Sequence, residues 1–114
     1  MQVLLMIHSN EAGWAALPPA EQAQRMAAYR AYTEALTASG ALTLSARLKP
    51  AATAQLVRAA GGAPQVLDGP YAETREQLGG FYLLDVPDLA AARDWAARCP
   101  GAEHGTVELR EIWA

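Results

Sequence analysis

The chain has 114 residues, 52% hydrophobic and 18% charged, which suits one domain with one core and excludes a disordered chain. Its net charge of −3, with nine scattered Lys and Arg and no basic run, excludes a concentrated phosphate-binding patch, so no nucleic-acid partner is expected. A single cysteine, Cys99, excludes an intramolecular disulfide framework and fits a reducing cytosol.

Residues 3 to 7 are a continuous apolar run with β-branched members, and they predict a buried strand. The run is too short to cross a bilayer and has no positive leader before it, so a cytoplasmic protein with no membrane partner is expected. Residues 9 to 17 read as a loop carrying Trp14. Pro18-Pro19 suits the first turn of a helix, and residues 19 to 39 are rich in Ala, Gln, Arg, Glu and Met, all good helix formers. Met26, Tyr29, Thr33 and Leu36 recur at helical spacing as an inward stripe. Gly40 is the expected left-handed cap.

Residues 42 to 48 predict a second strand, ended by Pro50. Residues 53 to 59 and 64 to 67 are short extended pieces around Gly61-Gly62, which predicts a hairpin. Residues 72 to 78 suggest one helical turn. Residues 81 to 86 form the clearest strand, apolar on both faces apart from Asp85, hence central and covered on both sides. Asp88 is the expected N-cap of a second helix with Leu89, Ala92, Trp95, Ala96 and Cys99 inward. Pro100-Gly101 ends that helix. Residues 106 to 112 alternate, as a half-exposed last strand does.

Without the hairpin, this order predicts a ferredoxin-like α+β domain spanning residues 1 to 114, an antiparallel sheet with two helices on one face. Helices on one face leave the other bare, and an Ala-rich domain of this size gains from burying that face against a second copy. A homodimer is therefore expected.

Residues 68 to 81 pack a turn, four charges and a double glycine in front of the central strand. Such a segment suits a small polar ligand. Asp68, before Gly-Pro, reads either as a carboxylate base at a cleft mouth or as a turn residue bonded to nearby backbone. His8, at the end of the first strand, carries an imidazole suited to proton transfer and pairs with Asp68 as a candidate catalytic couple. Tyr29 and Tyr71 offer a ring and a hydroxyl to a pocket or to the core. Glu73 and Arg75 could recognise a polar group or form a solvated face with Glu76. Arg47 needs a partner if buried, with Asp85, Glu73 or an anionic ligand as candidates. Gly79 permits either close backbone approach to a ligand or a bulge. Two separated histidines and one cysteine give no metal-ligand spacing, and no cofactor is expected.

The motifs Asp68-Gly69-Pro70-Tyr71, Glu73-Thr74, Glu76-Gln77-Leu78-Gly79-Gly80-Phe81-Tyr82 and Val86-Pro87-Asp88-Leu89, with Trp95-Ala96-Ala97-Arg98-Cys99-Pro100, resemble the DGPF group of YciI-like (YCII-related) proteins. Tyr71 stands where the naming motif ends in Phe. The resemblance implies a ferredoxin-like fold in a dimeric α+β barrel. It also implies a His–Asp pair in a cleft, used by one relative in dehalogenation of a chlorinated muconate. Counting back from Gly40, Tyr29 occupies the position of that family histidine. Some relatives accompany extracytoplasmic-function sigma factors. Two readings stay open: a lyase- or hydrolase-type enzyme using Asp68 and His8, and a non-catalytic binding or regulatory module with a protein partner.

Overall fold

A computed structural model describes all of residues 1–114. Four strands make the main sheet: β1 (Gln2–Ser9), β2 (Leu42–Arg47), β5 (Gln77–Asp85) and β6 (Thr106–Glu111), in the order β2-β5-β1-β6. Every pairing is antiparallel. The helices are α1 (Glu11–Ala15), α2 (Pro19–Ser39), α3 (Leu89–Arg98) and α4 (Gly101–His104). A separate hairpin, β3 (Gln55–Arg58) with β4 (Gln65–Asp68), lies between β2 and β5. Order and pairing are those of a ferredoxin-like α+β fold.

Alternation along the strands decides where the core sits. In β1 the odd residues Val3, Leu5 and Ile7 are buried, and in β5 Gly80, Tyr82 and Leu84 are buried. Tyr32 and Leu36 of α2, with Ala92 and Cys99 from the α3 side, meet them. Burying Leu5, Leu36 and Leu84 stabilises the domain by roughly 1.5–3 kcal/mol each. Tyr32 stands edge-on to Tyr82 (centroids 5.2 Å apart, 89°) and to Trp95 (6.0 Å), an arrangement aromatic quadrupoles favour.

Helix ends follow the sequence signals. Gly40 takes φ 80° and its N–H reaches the Leu36 and Thr37 carbonyls, closing α2. Asp88 accepts from the Ala91 N–H at 2.9 Å and starts α3.

The structure corrects four expectations. Residues 11 to 15 are a short helix and not a loop, because Asn10 caps it by accepting from the Gly13 N–H at 3.0 Å. No helical turn forms at 72 to 78, since β5 already starts at Gln77. The inward stripe of α2 centres on Tyr32 and Leu36, while Met26, Tyr29 and Thr33 are half-buried. The first arm of the hairpin is shorter than read, because Ala51–Thr53 winds into a 3-10 turn after Pro50. Within one chain the helices cover one face of the central strand, and Leu4, Met6, Phe81 and Leu83 share the other, half-buried.

The molecule measures 46 × 42 × 19 Å. The short dimension is one sheet and one helix layer, and the hairpin β3–β4 projects as an arm.

Candidate functional site

His8 sits where β1 passes a bulge. Ile7 opposes Gly80, but His8 opposes Leu78, so Gly79 is the extra residue on β5. On its other side His8 opposes Thr106 of β6. Glu108, two residues along β6, points to the same face, and its Oε1 lies 3.0 Å from His8 Nε2. Thr106 Oγ1 donates to Glu76 Oε1 at 2.7 Å beside them, and Arg110 Nη2 is 4.0 Å from Glu108 Oε2. The pair opens to solvent: the side chains are 27% and 45% exposed. Behind it, Gly105 presses on the His8 carbonyl so closely that a Cβ would collide with that oxygen.

The result is an imidazole held by a carboxylate on the uncovered sheet face. A carboxylate on one ring nitrogen fixes the tautomer and stabilises the imidazolium, the arrangement general acid–base chemistry uses.

The helix-covered face carries a second polar cluster. Thr33 Oγ1 donates to the Tyr29 carbonyl at 2.8 Å, so its 2.8 Å contact with the Tyr82 hydroxyl has Tyr82 as donor. Burial pushes the Tyr29 phenol up to about 12, helped by Cys99 and Tyr82 and opposed by Arg25. Burial also raises Tyr32, Tyr82 and the Cys99 thiol, the last held back by the Gly101 and Ala102 N–H groups. Tyr29 is thus a neutral phenol near pH 7, able to donate a hydrogen bond but not to act as a base.

The residues singled out from the sequence do not converge. Asp68 ends β4 on the arm, exposed, and its carboxylate makes no hydrogen bond or ion pair to His8 or to backbone. A cis Gly69–Pro70 bond follows it, and the Gly69 N–H reaches the Ala54 carbonyl at 2.8 Å. Tyr71 is 83% exposed, and Glu73 and Arg75 are exposed in the same connection. Arg47 is exposed and pairs with neither Asp85 nor Glu73. Its guanidinium lies 5.7 Å from the Trp14 ring centre, while Asp85 meets the N-terminal amine at 3.4 Å. Gly79 supplies the bulge, and its carbonyl accepts from the Leu48 N–H at 2.8 Å.

Glu108 is the residue the sequence reading passed over. The signal was present in the alternation of residues 106 to 112: with Thr106 opposite His8, Glu108 must share the His8 face. That inference needs the β1–β6 pairing, which a single strand does not announce.

A broad groove of about 1260 Å³ lies at the far end of β6, lined by Met1, Leu89, Arg93, Leu109, Arg110 and Trp113 among others, and a smaller one of about 470 Å³ runs between Ala28, Ala31 and Ala35 of α2 and the end of α3. None of the candidate residues lines either groove. No group of three or more His, Cys, Asp or Glu is placed to hold a metal ion. No helix is long and apolar enough to cross a membrane.

Known proteins share this architecture. The solved structure of 5-chloro-2-hydroxyhydroquinone dehydrochlorinase from Burkholderia phenoliruptrix AC1100, in complex with 2,5-dihydroxybenzoquinone, is similar over 99% of this chain and 94% of its own, with a TM-score of 0.60. At 12% identity that likeness speaks for the fold alone. An uncharacterised protein of Rhizobium meliloti (strain 1021) is 42% identical over 88 residues, 75% of this chain and 68% of the relative. The family model of the YCII-related domain matches residues 1–114 from end to end. Sheet order, motifs and match over the full length agree, and the chain belongs to the YCII-related domain family.

Proposed function

We propose that this protein is a lyase- or hydrolase-type enzyme that moves protons on a small polar molecule, with His8 as the acid–base group and Glu108 as its positioning partner. The 3.0 Å contact between His8 Nε2 and Glu108 Oε1 carries the reading. With Nε2–H donated to the carboxylate, Nδ1 keeps the free lone pair that takes a proton. Glu108 then stabilises the imidazolium until the proton is returned to a leaving group or product. The similar dehydrochlorinase binds a dihydroxybenzoquinone, which makes small hydroxylated ring compounds the first substrate class to try.

We further propose that two copies pair through the uncovered sheet face. Leu4, Met6, Phe81 and Leu83 lie there, and Leu44 beside them is 54% exposed. Pairing excludes water from the face on which His8 and Glu108 lie, which strengthens their interaction and lowers solvent competition for the substrate.

The test is thermal unfolding with 2,5-dihydroxybenzoquinone and related hydroxyquinones, followed by chloride release from chlorinated hydroxyhydroquinones. A stabilising shift with the wild type that His8→Gln loses supports the reading. The absence of any shift or turnover across that class overturns the proposed substrate class. Turnover retained by His8→Gln overturns the role of His8.

A further inference from the structure

We propose that the β3–β4 hairpin is an intersubunit arm that lies on a second copy of this chain and carries Asp68 into the subunit interface. The inference rests on the pairing proposed above and extends it to a different element. Three observations support it.

The first is the arm's surface. Val57 opposes Val66, and Gln55 opposes Asp68 two residues away, so these four side chains share one face of the hairpin. Val57 is 65% exposed and Val66 59%. Leu67, on the other face, is 49% exposed. A two-stranded hairpin with apolar residues open on both faces is marginal alone in water. The Gly69 N–H to Ala54 carbonyl bond closes the base of the hairpin on itself and does not tie it to the body. Whatever covers Val57 and Val66 also meets Asp68, because alternation fixes them to one face.

The second is the shape of the chain. Its radius of gyration is 16.0 Å, against about 13 Å for a compact chain of this length. The arm and the thin two-layer body account for the excess.

The third is area. The chain exposes 7805 Å², about 1,800 Å² more than the roughly 6,000 Å² of a compact monomer of 12.1 kDa. A standard interface takes about 800 Å² from each partner, and obligate homodimers take more. The surplus is the size of an obligate partner's share, and the uncovered sheet face alone leaves the arm outside it. A second copy meets both needs, since a twofold axis that pairs the sheet faces presents two arms to two bodies. On this arrangement the Asp68 carboxylate, which makes no hydrogen bond or ion pair within its own chain, finds its surroundings in the other copy.

The experiment is light scattering and analytical ultracentrifugation of the full chain, wild type and Val57→Asp/Val66→Asp. Hydrogen exchange of the β3–β4 amides in the wild type accompanies it. The expected results are a wild-type mass twice 12.1 kDa, a dimer dissociation constant raised at least about tenfold in the double variant, and slow exchange in β3–β4 that is lost on dilution to monomer. Circular dichroism shows whether the variant stays folded; if it does not, the exchange measurement on the wild type decides. A monomeric wild type overturns the pairing and the arm together. A dimer of unchanged affinity in the folded variant, or fast concentration-independent exchange in β3–β4, overturns the arm and leaves the sheet-face pairing standing.

Discussion

The Tyr32 hydroxyl donates to the Trp95 carbonyl at 2.7 Å and so ties α2 to α3 across the core. That carbonyl also accepts from the Cys99 N–H at 3.1 Å, so removing the hydroxyl does not orphan it. Tyr32→Phe is therefore expected to cost only about 1 kcal/mol, the net value of one hydrogen bond. Tyr32→Ala removes a ring that touches both Tyr82 and Trp95 and is expected to cost about 3–5 kcal/mol. Urea unfolding midpoints at constant slope separate the two; equal losses would contradict this account.

His8 and Glu108 should matter little for stability. Both side chains are partly exposed, and exposed ion pairs contribute about 0–1 kcal/mol. His8→Gln and Glu108→Gln are each expected to shift unfolding by less than about 1 kcal/mol while removing the ligand-induced rise in melting temperature. Thermal scans with and without ligand show both effects. A loss of several kcal/mol in either variant would make the pair a structural contact.

Gly105 underlies the position of His8. A methyl at 105 would run into the His8 carbonyl oxygen, which is backbone and cannot swing aside. Gly105→Ala is expected to cost roughly 1–3 kcal/mol through that overpacking and to displace the imidazole. Histidine ring resonances compared between wild type and variant test this, and unchanged shifts with unchanged stability would refute it.

Alkaline pH should weaken the fold. Tyr29, Tyr82 and Cys99 all hold their protons more tightly folded than unfolded, because burial disfavours the charged form. Stability from these groups is complete below their ordinary values, 9.0 for the thiol and 10.0 for the phenols, and drains as pH rises through those values toward the folded ones, about 12 for Tyr29. The melting temperature is expected to hold steady from about pH 7 to about pH 9 and to fall above that. A melting temperature rising beyond that point would contradict the assignment. The Cys99 thiol, 2% exposed, should also react with thiol reagents far more slowly in native than in denatured protein.

The fold was largely legible in the sequence because its signals are local. The apolar runs at 3 to 7 and 81 to 86, Gly40 at the helix end and Asp88 at the next helix start each specify their element without reference to distant residues. The short helix at Trp14 was missed because its cap, Asn10, holds only five residues. The site was harder to read because it is made by pairing. His8 looked toward Asp68 as the carboxylate of a distinctive motif. In the fold, the carboxylate it meets comes from β6, 100 residues along the chain, through a register set by strand order. Helical spacing favoured Tyr29 and Thr33 over Tyr32, yet Tyr32, one turn before Leu36, is the one buried with it.

The outer strand β6 has a consequence for solubility. It ends the sheet on one side, and its sequence Thr106-Val107-Glu108-Leu109-Arg110-Glu111 places charges along an edge whose backbone groups would otherwise invite another strand. Growth by strand addition is thereby discouraged. Glu108, the residue that meets His8, is one of the charges that keeps this edge from pairing.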